Sequence, residues 1–370
     1  MRVRVPYRAR VPVLGALALL AGLSIGWAPD LVERRVDQLA APWAWSVIDW
    51  ESRNLPVGLL GVAQRAIAPP PREVKRDTVR TFLRGELPPK QHDMLRVAFA
   101  EVIEEELRRR GVASLGRLAF PPVAVAATGS PRVLAVSPRP EIRLQHWVLL
   151  PGELELRVAE ELERSVERLD LSALVVRTGG ISTYPTIAPI DTDPQFTLQT
   201  VAHEWTHTAL FFTPLGLSYG RSPEARAINE TTADVVGTEV ATAIATDLGV
   251  PPPPKEPYSR EPNSSGDDIL ADLRRIRQEV DARLAAGDVV GAEAYMEEQR
   301  RGLEARGYRI RRLNQAYFAF HGNYAEGPAA STEVLDDLHE LRDRSGSLGD
   351  FIGRAGAITS LEELRRAIGR

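Results

Sequence analysis

Between Thr200 and Leu210 a single formal charge, Glu204, sits among apolar and small polar residues, flanked by His203 and His207. A run of that kind can enter a protein interior only as a regular element, and the histidine spacing says which one. On an α-helix the two imidazoles stand about 40° apart around the axis and roughly 6 Å apart along it, so both reach one ion. Glu204 lies on the adjacent strip, where it can hold a metal-bound water. The His-Glu-x-x-His order thus matches what zinc hydrolysis requires, two ligands plus a general base. Asp193-Pro194 reads as an N-cap followed by proline at the first helical position, which predicts a helix from Pro194 to about Phe212, ending before Pro214.

Catalytic zinc takes three protein ligands and keeps one position for water or substrate. The candidate for the third is Glu230, on a second predicted helix that Ser222 can cap, Pro223 can start and Gly249 can end. Asp234, four residues on, shares its face. It can accept the second N–H of a ligand histidine, as metal-bound histidines require.

His203-Glu204-Trp205-Thr206-His207 followed by Asn229-Glu230-x-x-x-Asp234 resembles the gluzincin branch of zinc metallopeptidases, the thermolysin-like and aminopeptidase-like enzymes. The resemblance covers residues from about 175 to 250. It implies His203, His207 and Glu230 as ligands of one Zn2+ per chain, Glu204 as base and Asp234 as the residue behind a ligand histidine. It also implies a peptide or protein substrate. The metzincin alternative is disfavoured because no histidine follows in the loop after His207. In gluzincins the strand before the zinc helix pairs with substrate backbone, which would assign Gly180, Ile181, Ser182 and Thr183 to strand addition; an ordinary glycine turn explains the same residues. No glutamate occurs between Gly179 and Pro189, where aminopeptidases of that branch hold the substrate's free amine. The branch takes its oxyanion donor from the C-terminal half, where His321 and Tyr324 are the candidates, with Tyr317 and Tyr184 behind them.

The 370 residues carry a net charge of −4 with acids and bases interspersed, so nucleic acid is not an expected partner. With no cysteine there are neither disulfides nor thiolate ligands. Arg2, Arg4, Arg8 and Arg10 precede an uncharged apolar run from Val11 to Trp27, expected to be a single-pass membrane anchor with everything after residue 28 on the extracytoplasmic side. Secretion after signal cleavage is the alternative, disfavoured because Trp27, Pro29 and Asp30 make a poor cleavage site. Trp43, Trp45 and Trp50 then fit either an interfacial helix or one packed on the body.

The expected fold is α+β. Residues 29–90 form a membrane-proximal helical segment and linker. Residues 91–250 form an α/β zinc-binding catalytic subdomain with a mixed sheet, its strands drawn from the valine-rich stretches Pro122–Val136, Ile142–Leu150 and Ala173–Arg177. A proline-rich linker spans 251–267, and 268–370 form an all-helical subdomain, with helices at Ile269–Leu284, Val290–Arg306, Thr332–Arg342 and Leu361–Ile368. The expected function is a membrane-anchored zinc metallopeptidase. The alternatives are a catalytically inactive tethered binding or scaffold protein that keeps the zinc fold, and a hydrolase of non-peptide amides.

Overall fold

The computed structural model describes residues 31–88, 92–190, 193–251, 269–321 and 332–370. The described residues are about 62% helical, and their sheets are small. The expected α+β division is corrected accordingly. The valine-rich stretches form strands, but Gly129-Ser130-Pro131 interrupts the first of them, leaving short pieces in separate sheets.

Four helices come first: α1 (Leu31–Ala40), α2 (Val47–Ile67), α3 (Arg72–Leu83) and α4 (His92–Arg109). A two-strand antiparallel ribbon, β1 (Ser114–Leu115) with β2 (Leu118–Ala119), follows. Strand β4 (Arg132–Pro138) is the centre of a three-stranded antiparallel sheet between β5 (His146–Leu150) and β6 (Leu171–Arg177), with α5 (Leu156–Glu167) connecting β5 to β6. A separate parallel pair joins β3 (Val125–Ala127) to β7 (Thr186–Ala188).

The two-residue period of a strand decides what covers each face of the three-stranded sheet. Ala173 and Val175 of β6 pack with Leu134, Val136 and Leu150 under α1 and α5. Leu174, between them, faces the opposite way into a cluster with α9 (Ile269–Ala285), α10 (Val289–Ala305) and α11 (Gln315–His321). Val36 and Ala40 of α1 are fully buried, and the Trp45 N–H extends the sheet edge by bonding the Leu149 carbonyl at 2.8 Å. Of the two readings of this tryptophan-rich segment, packing on the body is the one observed.

The largest core lies elsewhere. It gathers α3, α4, α6 (Pro194–Leu210), α8 (Pro223–Asp247), α12 (Thr332–Asp343), α13 (Leu348–Gly356) and α14 (Leu361–Ala367). A short helix, α7 (Pro214–Ser218), links α6 to α8. The C-terminal helices therefore do not form one subdomain. The set α9–α11 covers the sheet, whereas α12–α14 complete the core around α6 and α8.

The helix limits follow local chemistry. Asp193 Oδ1 accepts the Gln195 and Phe196 N–H groups at 2.9 and 3.1 Å, and Ser222 caps α8 through the Ala225 N–H. Gly249, at φ +66°, turns the end of α8 so that the Val250 N–H reaches the Ala245 carbonyl.

Among the described residues no helix is long and apolar enough to cross a membrane. Even α2, of 21 residues, carries Asp49, Glu51, Arg53 and Arg65. This overturns the expected single-pass membrane placement and the membrane helix in the expected fold. The run Val11–Trp27, on which that expectation rested, lies outside the described residues, as does nearly all of the proline-rich linker.

Candidate metal centre

Helix α6 enters the core on one side and presents its histidines on another. Leu198, Val201, Ala202, Trp205 and Leu210 are buried, and Trp205 Nε1 donates to the Pro121 carbonyl at 2.9 Å. That anchorage fixes the rotation of the helix. Successive turns of α6 meet successive turns of α8 in reverse order: Gln199 bonds Thr238, His203 meets Asp234, and His207 meets Asn229 and Glu230. The two helices are thus antiparallel.

Their close approach depends on one missing side chain. Gly237 lies three residues beyond Asp234, on the same face of α8. A Cβ there would come within 3.0 Å of the Gln199 carbonyl and 3.1 Å of His203 Cβ. Without it, the α6 backbone settles against α8 at the level of the first histidine.

The two rings are held from behind. His203 Nδ1 lies 2.8 Å from Asp234 Oδ1, and His207 Nδ1 lies 2.6 Å from Asn229 Oδ1. Both oxygens only accept, so both Nδ1 atoms carry the proton and donate it. The neutral rings then turn lone pairs toward each other, with the two Nε2 atoms 3.0 Å apart. Two lone pairs at that distance repel unless a proton or a cation lies with them. Glu230 Oε2 faces the same point, 3.6 Å from His203 Nε2 and 3.5 Å from His207 Nε2. That oxygen is buried and accepts no hydrogen bond, while Glu230 Oε1 receives the Tyr219 hydroxyl proton. Buried carboxylate oxygens are rarely left unpaired.

His203, His207 and Glu230 could hold one metal ion, since their ligand atoms all lie within 4.8 Å of one another. Two ligands at the usual zinc distances, in a tetrahedral arrangement, stand roughly 3.3 Å apart. The separations here fit that value.

Electrostatics point the same way. Burial works against a charged His203, but the charge and hydrogen bond of Asp234, with nearby Glu230 adding to them, outweigh it and carry the imidazole well above 6.5. His207 is raised too, as Glu230 outweighs burial. Burial would lift Glu230, yet the two histidines hold it well below the usual carboxylate range. The cluster is therefore built to keep positive charge beside a buried carboxylate. Glu204 is different: burial raises it, and the nearby histidines only partly offset this. Among the described residues no hydrogen-bond donor faces its carboxylate.

Gly180 to Thr183 run beside α6 at the level of Glu204. A Cβ on Gly180 would meet Thr200 Cγ2, Glu204 Cγ and the Ile187 carbonyl at 2.6 to 2.8 Å, so only glycine lets this backbone lie so close. Ile181 exchanges both backbone hydrogen bonds with Ile187, at 3.1 Å each. Among the described residues Gly180 and Ser182 make no such backbone hydrogen bonds. The Ser182 hydroxyl meets Thr208 Oγ1 at 3.1 Å, whereas Thr183 is turned inward onto the Pro185 carbonyl. Helix α2 backs this segment: Glu51 accepts the Tyr184 N–H, and Gly58 abuts Pro185.

The expected oxyanion donors are placed differently. His321 lies at the end of α11, its ring 4.5 Å from that of Tyr317, on the helix that covers β4 and β6. Burial pushes it down to about 4. It is not part of the converging group, and Tyr324 lies outside the described residues. Tyr317 is buried against Phe318 and His321, and the Tyr184 hydroxyl is tied to the Pro122 carbonyl. Two residues with a part in the site were not picked out by sequence. Asn229 stood in the quoted motif without a role, although its adjacency to Glu230 was the available signal. Tyr219 comes from the turn after α7, at no diagnostic spacing.

Comparison with protein-family models, curated proteins and solved structures found no match to this chain.

Proposed function

We propose that the chain is a zinc-dependent peptidase in which His203, His207 and Glu230 hold the metal and Glu204 is the general base. The observation that carries this reading is the convergence of two histidine Nε2 atoms and an unpartnered buried carboxylate oxygen on one point, with Glu204 beside them. Two nitrogens and one carboxylate oxygen are a donor set of catalytic zinc, and three protein ligands leave a position open. When bound, zinc supplies a Lewis acid that polarises a carbonyl and acidifies water.

The chain's own groups do the rest. Glu204, raised by burial, is poised to take a proton from water and pass it to the leaving amine. Asp234 and Asn229 fix the tautomer and direction of the histidines. The free edge of Gly180 and Ser182 is suited to align an extended peptide alongside α6.

The test is elemental analysis with a peptide-library assay on the wild type and Glu204→Gln. One zinc per chain in both proteins, with turnover falling at least about 10²- to 10⁴-fold in the variant, is expected. Wild-type turnover in Glu204→Gln would sink the assignment of the base. Zinc retained in a wild type that cleaves no peptide would leave a binding protein or a hydrolase of other amides.

A further inference from the structure

The two oxygens of Glu230 are in unlike states. Oε1 receives the hydroxyl proton of Tyr219, in a short hydrogen bond. Oε2 is buried, accepts no hydrogen bond and faces both histidine Nε2 atoms. A carboxylate that binds an ion through both oxygens needs both free. We propose that Tyr219 is a positioning residue that makes Glu230 a one-oxygen ligand and so keeps a coordination position open for water or substrate. The proposal rests on the metal reading of the site given above.

The surroundings fix Tyr219 in that role. Thr213 caps α7 through the Gly216 N–H. A Cβ on Gly216 would fall 2.2 Å from the Leu210 carbonyl, so this turn folds tightly back on the end of α6. The chain then delivers Tyr219 beside the second histidine, with ring centroids 6.1 Å apart and edge to face. The Arg226 guanidinium lies over the tyrosine ring, 5.5 Å from its centroid. The ring is thus held by residues of both α6 and α8, and its hydroxyl proton goes to the carboxylate. Without that proton Glu230 Oε1 would be a buried, unneutralised oxygen next to a cation, and it would swing onto the ion.

Tyr219→Phe tests this by keeping the ring and removing only the hydroxyl. Cobalt(II) takes the place of zinc, because its visible absorption is strong at four-coordinate sites and weak at five- or six-coordinate ones. The expected result is one cobalt per chain in both proteins, with visible intensity lost in the variant. An unchanged spectrum overturns the proposal, and if turnover nevertheless falls, Tyr219 acts on the substrate instead. Should the variant not fold, the wild type decides by infrared difference spectra recorded with and without metal. A wide splitting of the carboxylate stretches marks one-oxygen binding, whereas a narrow one marks two-oxygen binding and overturns the proposal. A wild type that takes up no cobalt fails the metal reading itself, which keeps the two failures apart.

Discussion

His203 and His207 are matched in position but not in what stands behind them. Asp234 gives His203 a charged acceptor, and Asn229 gives His207 a neutral one. A carboxylate makes an imidazole more basic than an amide does, so His203 is the stronger ligand. Asp234→Ala and Asn229→Ala should each weaken metal binding by roughly 10- to 100-fold, with the larger loss at Asp234. Competition against a chromogenic chelator reads both, and two undiminished affinities would remove these residues from the site. Outside the candidate ligand group, Glu104 is 2% exposed and accepts the Val123 N–H at 2.8 Å. Burial pushes it up to about 7, with Arg65 opposing. Its folded value lies above the ordinary 4.5, so the stability it contributes is complete below that pH and is lost as pH rises through about 7. At about 1.4 kcal/mol per unit, the loss is on the order of 3 kcal/mol. Glu104→Gln should therefore gain on the wild type by about that amount between pH 4.5 and 8 in urea unfolding, and a stability difference that is flat with pH refutes it.

Between elements, the decisive contact is the one that a side chain at 237 would forbid. Gly237→Val places branched carbons where the Gln199 carbonyl and His203 Cβ already stand at 3.0 and 3.1 Å. Overpacking of that kind costs about 1 to 3 kcal/mol. It should also spread the ligands, so melting temperature and metal affinity fall together, with Gly237→Ala milder in both. A Val variant with normal affinity would show that the close approach does not set the ligand geometry. What was legible in sequence was local chemistry. The caps at Asp193 and Ser222, the left-handed Gly249 and the four-residue spacings on α6 and α8 all depend on neighbours along the chain. What was illegible depended on neighbours across space. Gly129-Ser130-Pro131 marks a break within residues 122–136, but nothing there says which sheet each piece will join. The pairing of Asn229 with His207, and the arrival of Tyr219 from a turn, exist only after α6 and α8 have met. His321 drew attention because aromatics surround it, and its packing on α11 accounts for them.

At the scale of the whole molecule, the buried hydrophobic residues among those described form three clusters, one on each face of the β4–β6 sheet and one around α6 and α8. The candidate ligands sit on α6 and α8 alone. Chelation should accordingly loosen backbone amides of those two helices while those of β4 and β6 keep their protection, a contrast that hydrogen exchange measures directly. Equal loosening of both regions would mean that the clusters unfold as one unit. The largest cluster is also assembled from distant parts of the chain, with Val334, Leu338, Leu341 and Phe351 packed into the same core as Val236 and Val240 of α8. On the ribosome this becomes a matter of timing. All three candidate ligands have been polymerised by residue 230, yet the helices that finish their core are not made until residue 332 and beyond. A nascent chain therefore holds its histidines and its glutamate in an unfinished interior, and the candidate metal pocket is fixed only once synthesis has passed α12 to α14.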